Sequence, residues 1–142
     1  ADDGLGDPVL KVRKLSELEP ERTTEGKTWI SRRLLLRGDQ MGYSVHDTII
    51  KRGTETHLHY KNHLEAVYCI QGKGSVELVE SGEKFVIEAG TIYALDKNDN
   101  HILRAEEEMR MVCVFNPPLH GKETHGPDGA YPVLDDDGNP IG

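Results

Sequence analysis

The sequence predicts an all-β protein built as one antiparallel barrel or jelly roll. Short stretches rich in Val, Ile, Leu, Tyr and Thr alternate with turn signals such as "RGDQMG", "QGKG" and "ESGE". These signals recur about every 8–12 residues, which is the spacing of a β-sandwich or barrel. The chain has 142 residues, which is the length of a single domain. No helical pattern is long enough for a βαβ unit.

The apolar stretches define the expected elements. The candidate strands are, in chain order, "WISRRLLL", "YSVHDTII", "THLHY", "EAVYCI", "SVELVE", "KFVIE", "TIYALD", "HILRAE" and "MRMVCVF". A short helical turn is predicted over residues 14–21, with Ser16 as its N-cap and Pro20 as its stop. Residues 1–8 are small and acidic and predict an extension that is flexible or derives from cloning. Residues 9–134 form the predicted domain, and residues 135–142 a flexible tail.

Composition limits the partners and the compartment. The net charge of -8 argues against nucleic acid or an anionic membrane as the main partner, because both favour a basic surface. No apolar run approaches the roughly 20 residues that cross a bilayer, and "ADDGLGDP" does not resemble a signal peptide. We therefore expect a cytoplasmic protein with Cys69 and Cys113 reduced and buried. The segments "VYCI" and "MVCVF" are apolar on both faces, which favours a homodimer.

A group of histidines points to a metal. His46, His57, His59 and His63 fall within a short segment, and His57 and His59 share one face of a strand because they are two residues apart. Glu65 begins an otherwise apolar run, and a buried carboxylate requires a partner such as a cation. Imidazole and carboxylate together suit Fe, Zn, Ni or Mn. Histidines exposed on the surface are the alternative interpretation.

Two segments resemble the paired motifs of cupins. "GTETHLHYKNHLEAVYCIQG" resembles the first motif and "IEAGTIYALDKNDNH", around Gly90, resembles the second. The spacer between His59 and Glu65 is one residue longer than the usual pattern, and Tyr93 replaces the histidine of the second motif. Cupins are metal-binding double-stranded β-helix barrels, which agrees with the predicted strands.

Five separated blocks across residues 9–134 are similar to the ectoine synthase family. They are "WISRRLLL", "NHLEAVYCIQGKG", "GTIYALDKNDNH", "MRMVCVFNPPLHGKETH" and "DGAYPVL". The resemblance implies a dimeric Fe(II) cupin that closes N-γ-acetyl-L-2,4-diaminobutyrate into ectoine, a compatible solute made under osmotic stress. It implies Glu65, Tyr93 and His101 as iron ligands. Asn98 departs from the family, in which a histidine is common at this position.

The remaining site residues are assigned by alternation and by the resemblance. Trp29, Ser31 and Arg33 alternate along one predicted strand and so share a face; Arg33 can bind a carboxylate, and Trp29 can cover the ring or contact a cation. The resemblance adds the pocket residues Thr48, Cys113 and Phe115. The candidates for proton transfer are Tyr60, His63, Glu123 and His125. Packing of the barrel is the alternative role for each.

Two other functions fit the same motifs. A cupin dioxygenase would hold Fe(II) with His57, His59 and Glu65 and would consume oxygen. A non-catalytic cupin would bind a small polar ligand without turnover.

Overall fold

The computed structural model describes residues 10–126 and 129–140, and antiparallel strands dominate this part of the chain. The strands are β1 (Thr23–Glu25), β2 (Trp29–Leu35), β3 (Ser44–Ile50), β4 (Glu55–His59), β5 (Leu64–Gln71), β6 (Lys73–Leu78), β7 (Lys84–Glu88), β8 (Ile92–Leu95), β9 (Asn100–Ala105) and β10 (Met109–Asn116). All the predicted strands are confirmed, and β1 is an addition.

The strands form two sheets with the core between them. The first sheet has the order β1-β2-β3-β10-β5-β8, and the second has the order β4-β9-β6-β7. Inward positions alternate with outward ones, so that β10 buries Met109, Met111, Cys113 and Phe115. Burying a large apolar side chain stabilises the fold by about 1.5–3 kcal/mol. This two-sheet barrel confirms the predicted all-β jelly roll.

The predicted helical turn over residues 14–21 is two 3₁₀ turns, Leu15–Glu17 and Pro20–Arg22. Ser16 lies inside the first turn and is not its N-cap, and Pro20 begins the second turn and does not stop the first. The proline prediction is wrong because Pro fits the first position of a helical turn, where its missing N–H is not needed. A third 3₁₀ turn, Arg37–Asp39, precedes β3.

Residues 119–126 and 129–134 run without strand or helix across one end of the barrel, and we call them the covering segment. The wholly buried Arg33 donates hydrogen bonds of 2.9 Å to the carbonyls of Gly121 and Glu123 in this segment. On the other side, the N–H of His59 donates to the carbonyl of Gly129 over 2.9 Å. The covering segment is therefore bonded to β2 in one sheet and to β4 in the other.

The predicted extension and the predicted tail lie at the two ends of the chain. Residues 1–9 and 141–142 lie outside the described residues. Leu134, the last residue of the predicted domain, pairs with Pro140 of the predicted tail in an isolated bridge. Within the tail, the N–H of Asp135 donates to the carbonyl of Asn139 over 2.8 Å. Among the described residues, no helix has the length and apolar character needed to cross a bilayer.

Candidate active site

A cavity lies between the sheets beneath the covering segment. The empty space there, counting the part that is open to solvent, is about 470 Å³. Its walls are mainly aromatic and aliphatic, with a few polar groups: Trp29, Ser31, His46, Thr48, Ile50, Thr56, Leu58, Tyr60, Glu65, Val67, Tyr93, Leu103, Met111, Cys113, Phe115, His125 and Tyr131. An apolar cavity with a small number of polar groups is the usual form of a small-molecule site.

Glu65 places a carboxylate in the cavity wall. It is 7% exposed and lies on β5, opposite Phe115 of β10. Burial raises the pKa of its carboxyl to about 8, although a hydrogen bond with Cys113 opposes that rise. No Lys or Arg in the described ranges forms an ion pair with it. Glu65 therefore lacks the cationic partner that a buried carboxylate requires, as its position in the sequence predicted.

Tyr93 and His101, the other two predicted ligands, lie on two further strands, and of these two only Tyr93 is among the residues that line the cavity. Tyr93 lines the cavity on β8, where it pairs with Val67 of β5, two residues from Glu65. His101 is fully buried on β9 and faces inward with Leu103. Its Nδ1 lies 2.9 Å from the carbonyl oxygen of Asp99, whereas its Nε2 has no hydrogen-bond partner among the described residues.

The chemical types of these three donors suit a metal ion. A ring held by its Nδ1 N–H to a backbone carbonyl presents a free lone pair on Nε2, which is the usual arrangement of a metal-binding histidine. Glu65 supplies a carboxylate, and Tyr93 supplies a phenol whose proton a metal can displace. The described residues contain no cluster of three or more His, Cys, Asp or Glu with metal-binding geometry. The proposed set has only two residues of these types, because its third member is a tyrosine.

The structure separates His57 and His59 from the cavity. Their neighbour Leu58 points inward and lines the cavity, so the two histidines share the outer face of β4. His57 is exposed, and its Nε2 contacts the side-chain oxygen of Asn100. The ligand set that a dioxygenase would need therefore does not assemble around Glu65.

All but one of the predicted substrate-binding residues line the cavity. Trp29 and Ser31, together with Thr48, Cys113 and Phe115, all line the cavity. Arg33 is not among the lining residues, because its guanidinium donates to the covering segment and, through Nε, to the Ser31 hydroxyl over 3.3 Å. It attaches the covering segment to β2 instead of lining the cavity.

Two of the four candidates for proton transfer reach the cavity. The hydroxyl of Tyr60 and the Nε2 of His125 lie 2.7 Å apart, and both residues line the wall. Burial, with the nearby charges of Arg33 and His101, lowers the pKa of His125 to about 4, so its ring is neutral at pH 7. Burial raises the pKa of Tyr60 well above 10, so its hydroxyl keeps its proton.

Glu123 and His63 stand outside the lining. The carboxylate of Glu123 accepts hydrogen bonds from the backbone N–H groups of His120 and Gly121, at 2.7 and 2.8 Å. His63 is 3% exposed and meets Phe115 edge to face, with ring centroids 5.9 Å apart. These contacts give Glu123 and His63 roles in shaping the covering segment and the cavity wall.

Sequence reasoning missed one site residue, Tyr131, and gave no specific role in the site to two that it had named, His46 and Asn98. Tyr131 lines the cavity from the covering segment and stacks on His125 at 4.3 Å. His46 lines it from β3 and lies 3.1 Å from the hydroxyl of Ser31. The alternation of Ser44, His46 and Thr48 on β3 was the available signal for His46.

Asn98, the third, joins the loops that precede two of the proposed ligands. Its Nδ2 donates to the carbonyls of Tyr60, at 2.8 Å, and His63, at 3.2 Å. Its backbone has a positive φ of 54°, a conformation that asparagine tolerates better than most residues. Asn98 therefore fixes the loop before Glu65 against the loop before His101.

The fold and the cavity between its sheets define a cupin with a candidate small-molecule site. An RmlC-like cupin from Shewanella frigidimarina matches the fold with a TM-score of 0.58 at 16% identity, over 72% of this chain and 86% of that chain. The family model described as ectoine synthase matches residues 10–135. This chain therefore belongs to the ectoine synthase family.

The relatives support this assignment along the whole domain. An L-ectoine synthase from Desulfatibacillum aliphaticivorans is 65% identical over 130 residues, covering 89% of this chain and all of the relative. One from Halalkalibacterium halodurans is 60% identical and covers 90% of this chain and all of the relative. The crystal structure of ectoine synthase from P. lautus matches with a TM-score of 0.80 at 51% identity and covers 94% of both chains. The chain is thus an enzyme of the hydro-lyase class.

Proposed function

We propose that this protein closes N-γ-acetyl-L-2,4-diaminobutyrate into ectoine inside the cavity, with Fe(II) held by Glu65, Tyr93 and His101. The observation that supports it best is the buried carboxylate of Glu65 without an ion-pair partner among the described residues, in a cavity that Tyr93 also lines. The unpartnered Nε2 of His101 supplies the third donor. An amine, a carboxylate and an acetamide on one small substrate suit an apolar cavity with few polar groups.

The reaction joins two parts of one molecule. The α-amine attacks the acetyl carbonyl carbon, the resulting six-membered carbinolamine loses water, and a cyclic amidine remains. Amide carbonyls resist such attack, and a bound Fe(II) supplies Lewis acidity that polarises the carbonyl oxygen. No change of oxidation state is required.

The protein's own groups handle the protons. The amine must lose a proton before it attacks, and the departing hydroxyl must gain one to leave as water. The neutral imidazole of His125 can accept a proton, and the protonated hydroxyl of Tyr60 can donate one. Their 2.7 Å contact allows a proton to pass between them. We therefore assign the acid and base roles to this pair.

The aromatic wall keeps bulk water from the reacting groups. Water competes with the amine and drives the reverse reaction, so its exclusion favours cyclisation. Trp29, Phe115 and Tyr131 form an apolar surface on which the substrate can fold its ends together. The hydroxyls of Ser31 and Thr48 are available to orient its polar ends.

We further propose a homodimer in the cytoplasm that supplies ectoine as a solute under osmotic stress. An apolar row supports the dimer: Leu64, Tyr68 and Ile70 project from the outer face of β5, and Ile92 of β8 lies opposite Tyr68. Covering such a row with a second copy removes it from water. The two free, buried cysteines agree with a reducing compartment.

The deciding experiment is direct. The purified protein, loaded with Fe(II) without oxygen, is incubated with N-γ-acetyl-L-2,4-diaminobutyrate, and ectoine is followed by NMR. We expect ectoine to form without oxygen consumption, and we expect its formation to stop when a chelator removes the iron. A His57→Ala variant is the matched control and should retain iron and activity, because His57 faces outward. Full turnover by iron-free protein contradicts the role of iron.

A further inference from the structure

Gly26 lies in the tight turn between β1 and β2, against the indole of Trp29. A methyl group at position 26 would stand 2.6 Å from Cε2 and 2.8 Å from Nε1 of that ring. Carbon atoms in contact prefer about 3.5–4.0 Å. We infer that Gly26 is a positioning residue: the absence of a side chain there sets where the Trp29 indole stands in the cavity wall. This inference rests on the proposed function.

The turn itself cannot absorb an added methyl group easily. The N–H of Gly26 donates to the carbonyl of Trp29 over 2.9 Å, and its carbonyl accepts from Nζ of Lys51 over 3.2 Å. The carbonyl of Thr28 accepts from the N–H of Lys51 over 2.9 Å, and its hydroxyl accepts from that of Thr56 over 2.6 Å. The turn is thus held by Trp29 of β2, by Lys51 just after β3 and, through the Thr28 side chain, by Thr56 of β4, so the indole is the part that must move.

Movement of the indole reaches the reacting groups. The Trp29 ring meets that of His125 edge to face, with centroids 5.1 Å apart and planes at 75°. His125 is bonded in turn to Tyr60, with which we propose it transfers protons. A displaced indole therefore disturbs both the wall that packs the substrate and the orientation of the imidazole.

Other glycines in the barrel have a different role. A methyl group at Gly72 would lie 2.1 Å from the carbonyl oxygen of Glu108, and one at Gly74 would lie 2.0 Å from that of Arg104. Those contacts are with backbone, so these two glycines serve the fold. At Gly26 the three nearest atoms all belong to the side chain of Trp29, which lines the cavity.

The test uses Trp29, the chain's single tryptophan, as its own reporter. We expect Gly26→Ala to shift the tryptophan emission and to lower kcat/KM about tenfold, with iron content unchanged, because small misplacements of positioning groups have effects of that order. The control is Gly38→Ala, since Gly38 is exposed and has no atom within 4 Å of a built Cβ. That variant should leave emission and turnover unchanged. Unchanged emission and kinetics in Gly26→Ala would overturn the inference.

A double variant separates the indole from the turn. Gly26→Ala combined with Trp29→Phe should be no slower than Trp29→Phe alone, and it should recover any thermal stability lost in Gly26→Ala, because the phenyl ring is smaller. Additive losses, or a double variant that folds no better than Gly26→Ala, would show damage to the turn itself and overturn the inference. If the unaltered protein makes no ectoine, the proposed function fails, whereas the emission of the single tryptophan still reports on the contact.

Discussion

Two buried carboxylates on the same sheet, Glu65 and Asp47, experience opposite environments. They are 7% and 6% exposed, and their strands β5 and β3 flank β10 on opposite sides. Asp47 faces outward, where Arg32 and Arg110 hydrogen-bond to it, the latter over 2.7 Å. Burial acts to raise the pKa of Asp47, but the two arginines outweigh it and hold that pKa below 3.8.

Glu65 has no such neighbours among the described residues, and burial raises the pKa of its carboxyl to about 8. Ionising it therefore costs stability above its ordinary pKa of 4.5 unless a cation is present. Burial alone therefore does not identify a functional carboxylate. Glu65, which has no cationic side chain beside it among the described residues, is the carboxylate that is available to bind a metal ion.

The largest effect should come from removing the proposed ligands. We expect Glu65→Ala, and likewise His101→Ala, to lower cyclisation at least about a hundredfold and to lose iron, because each removes a donor to the metal. The fold should persist. Iron content by elemental analysis, turnover by NMR and thermal melting check this.

Loss of iron from Asp47→Asn would contradict the different roles assigned to the two carboxylates. Retention of iron by Glu65→Ala would contradict them equally, because the metal would then be held by other groups.

A smaller loss should follow from changing the apolar wall. Trp29→Ala should lower turnover about tenfold or more with iron retained, because Trp29 packs the cavity without being a proposed ligand. Iron and turnover are measured on the same preparation. Loss of iron in parallel with activity would instead assign Trp29 a structural role.

Asp47, the outward-facing carboxylate, should affect the stability of the fold and not its activity. Asp47→Asn should lower the free energy of unfolding by about 1–2 kcal/mol, a moderate value because Arg110 is partly exposed. Turnover per folded molecule should not change. Urea unfolding at pH 7 measures the loss, and Arg110→Ala provides the matched removal of one partner. A drop in kcat for Asp47→Asn would contradict the separation between the two carboxylates.

The smallest expected effect is the pH dependence of the stability difference between the unaltered protein and Asp47→Asn. Because the folded-state pKa of Asp47 is below 3.8, its contribution is fully present above 3.8 and is lost as the pH falls through the lower folded value. The unfolding free energies of the unaltered protein and Asp47→Asn should therefore converge below pH 3.8. If the difference in unfolding free energy between the two proteins stayed constant from pH 7 to below pH 3.8, the charge of Asp47 would not be its source.

The strands were predictable because apolar alternation and turn residues mark them locally. β1 was missed because "TTE" is three residues long and largely exposed, so its only reason to be a strand is its pairing with β2. The inward face of β2 was predicted by alternation, yet Arg33 on that face bonds to the covering segment 88 residues later in the chain. Such a partner leaves no local trace in sequence.

The site shows the same limit. Trp29, Ser31 and the strand residues of the cavity follow from the resemblance and from alternation. Glu123 was a candidate for proton transfer, but its carboxylate accepts from neighbouring backbone N–H groups, a contact set by the path of an irregular segment. Tyr131 lies in that same segment, where neither of the periodicities of helix and strand applies.

Gly129 has a consequence for recognising active members of this group from genomes. Its φ is +77°, and a Cβ there would lie 2.7 Å from the carbonyl oxygen of His57. A side chain at this position would meet the backbone of β4, so we expect it to displace this part of the covering segment from the strand and to widen the opening of the cavity. A non-glycine at this position would thus mark a gene product that retains every proposed ligand but whose cavity is more open to water, which we expect to disfavour the proposed ring closure.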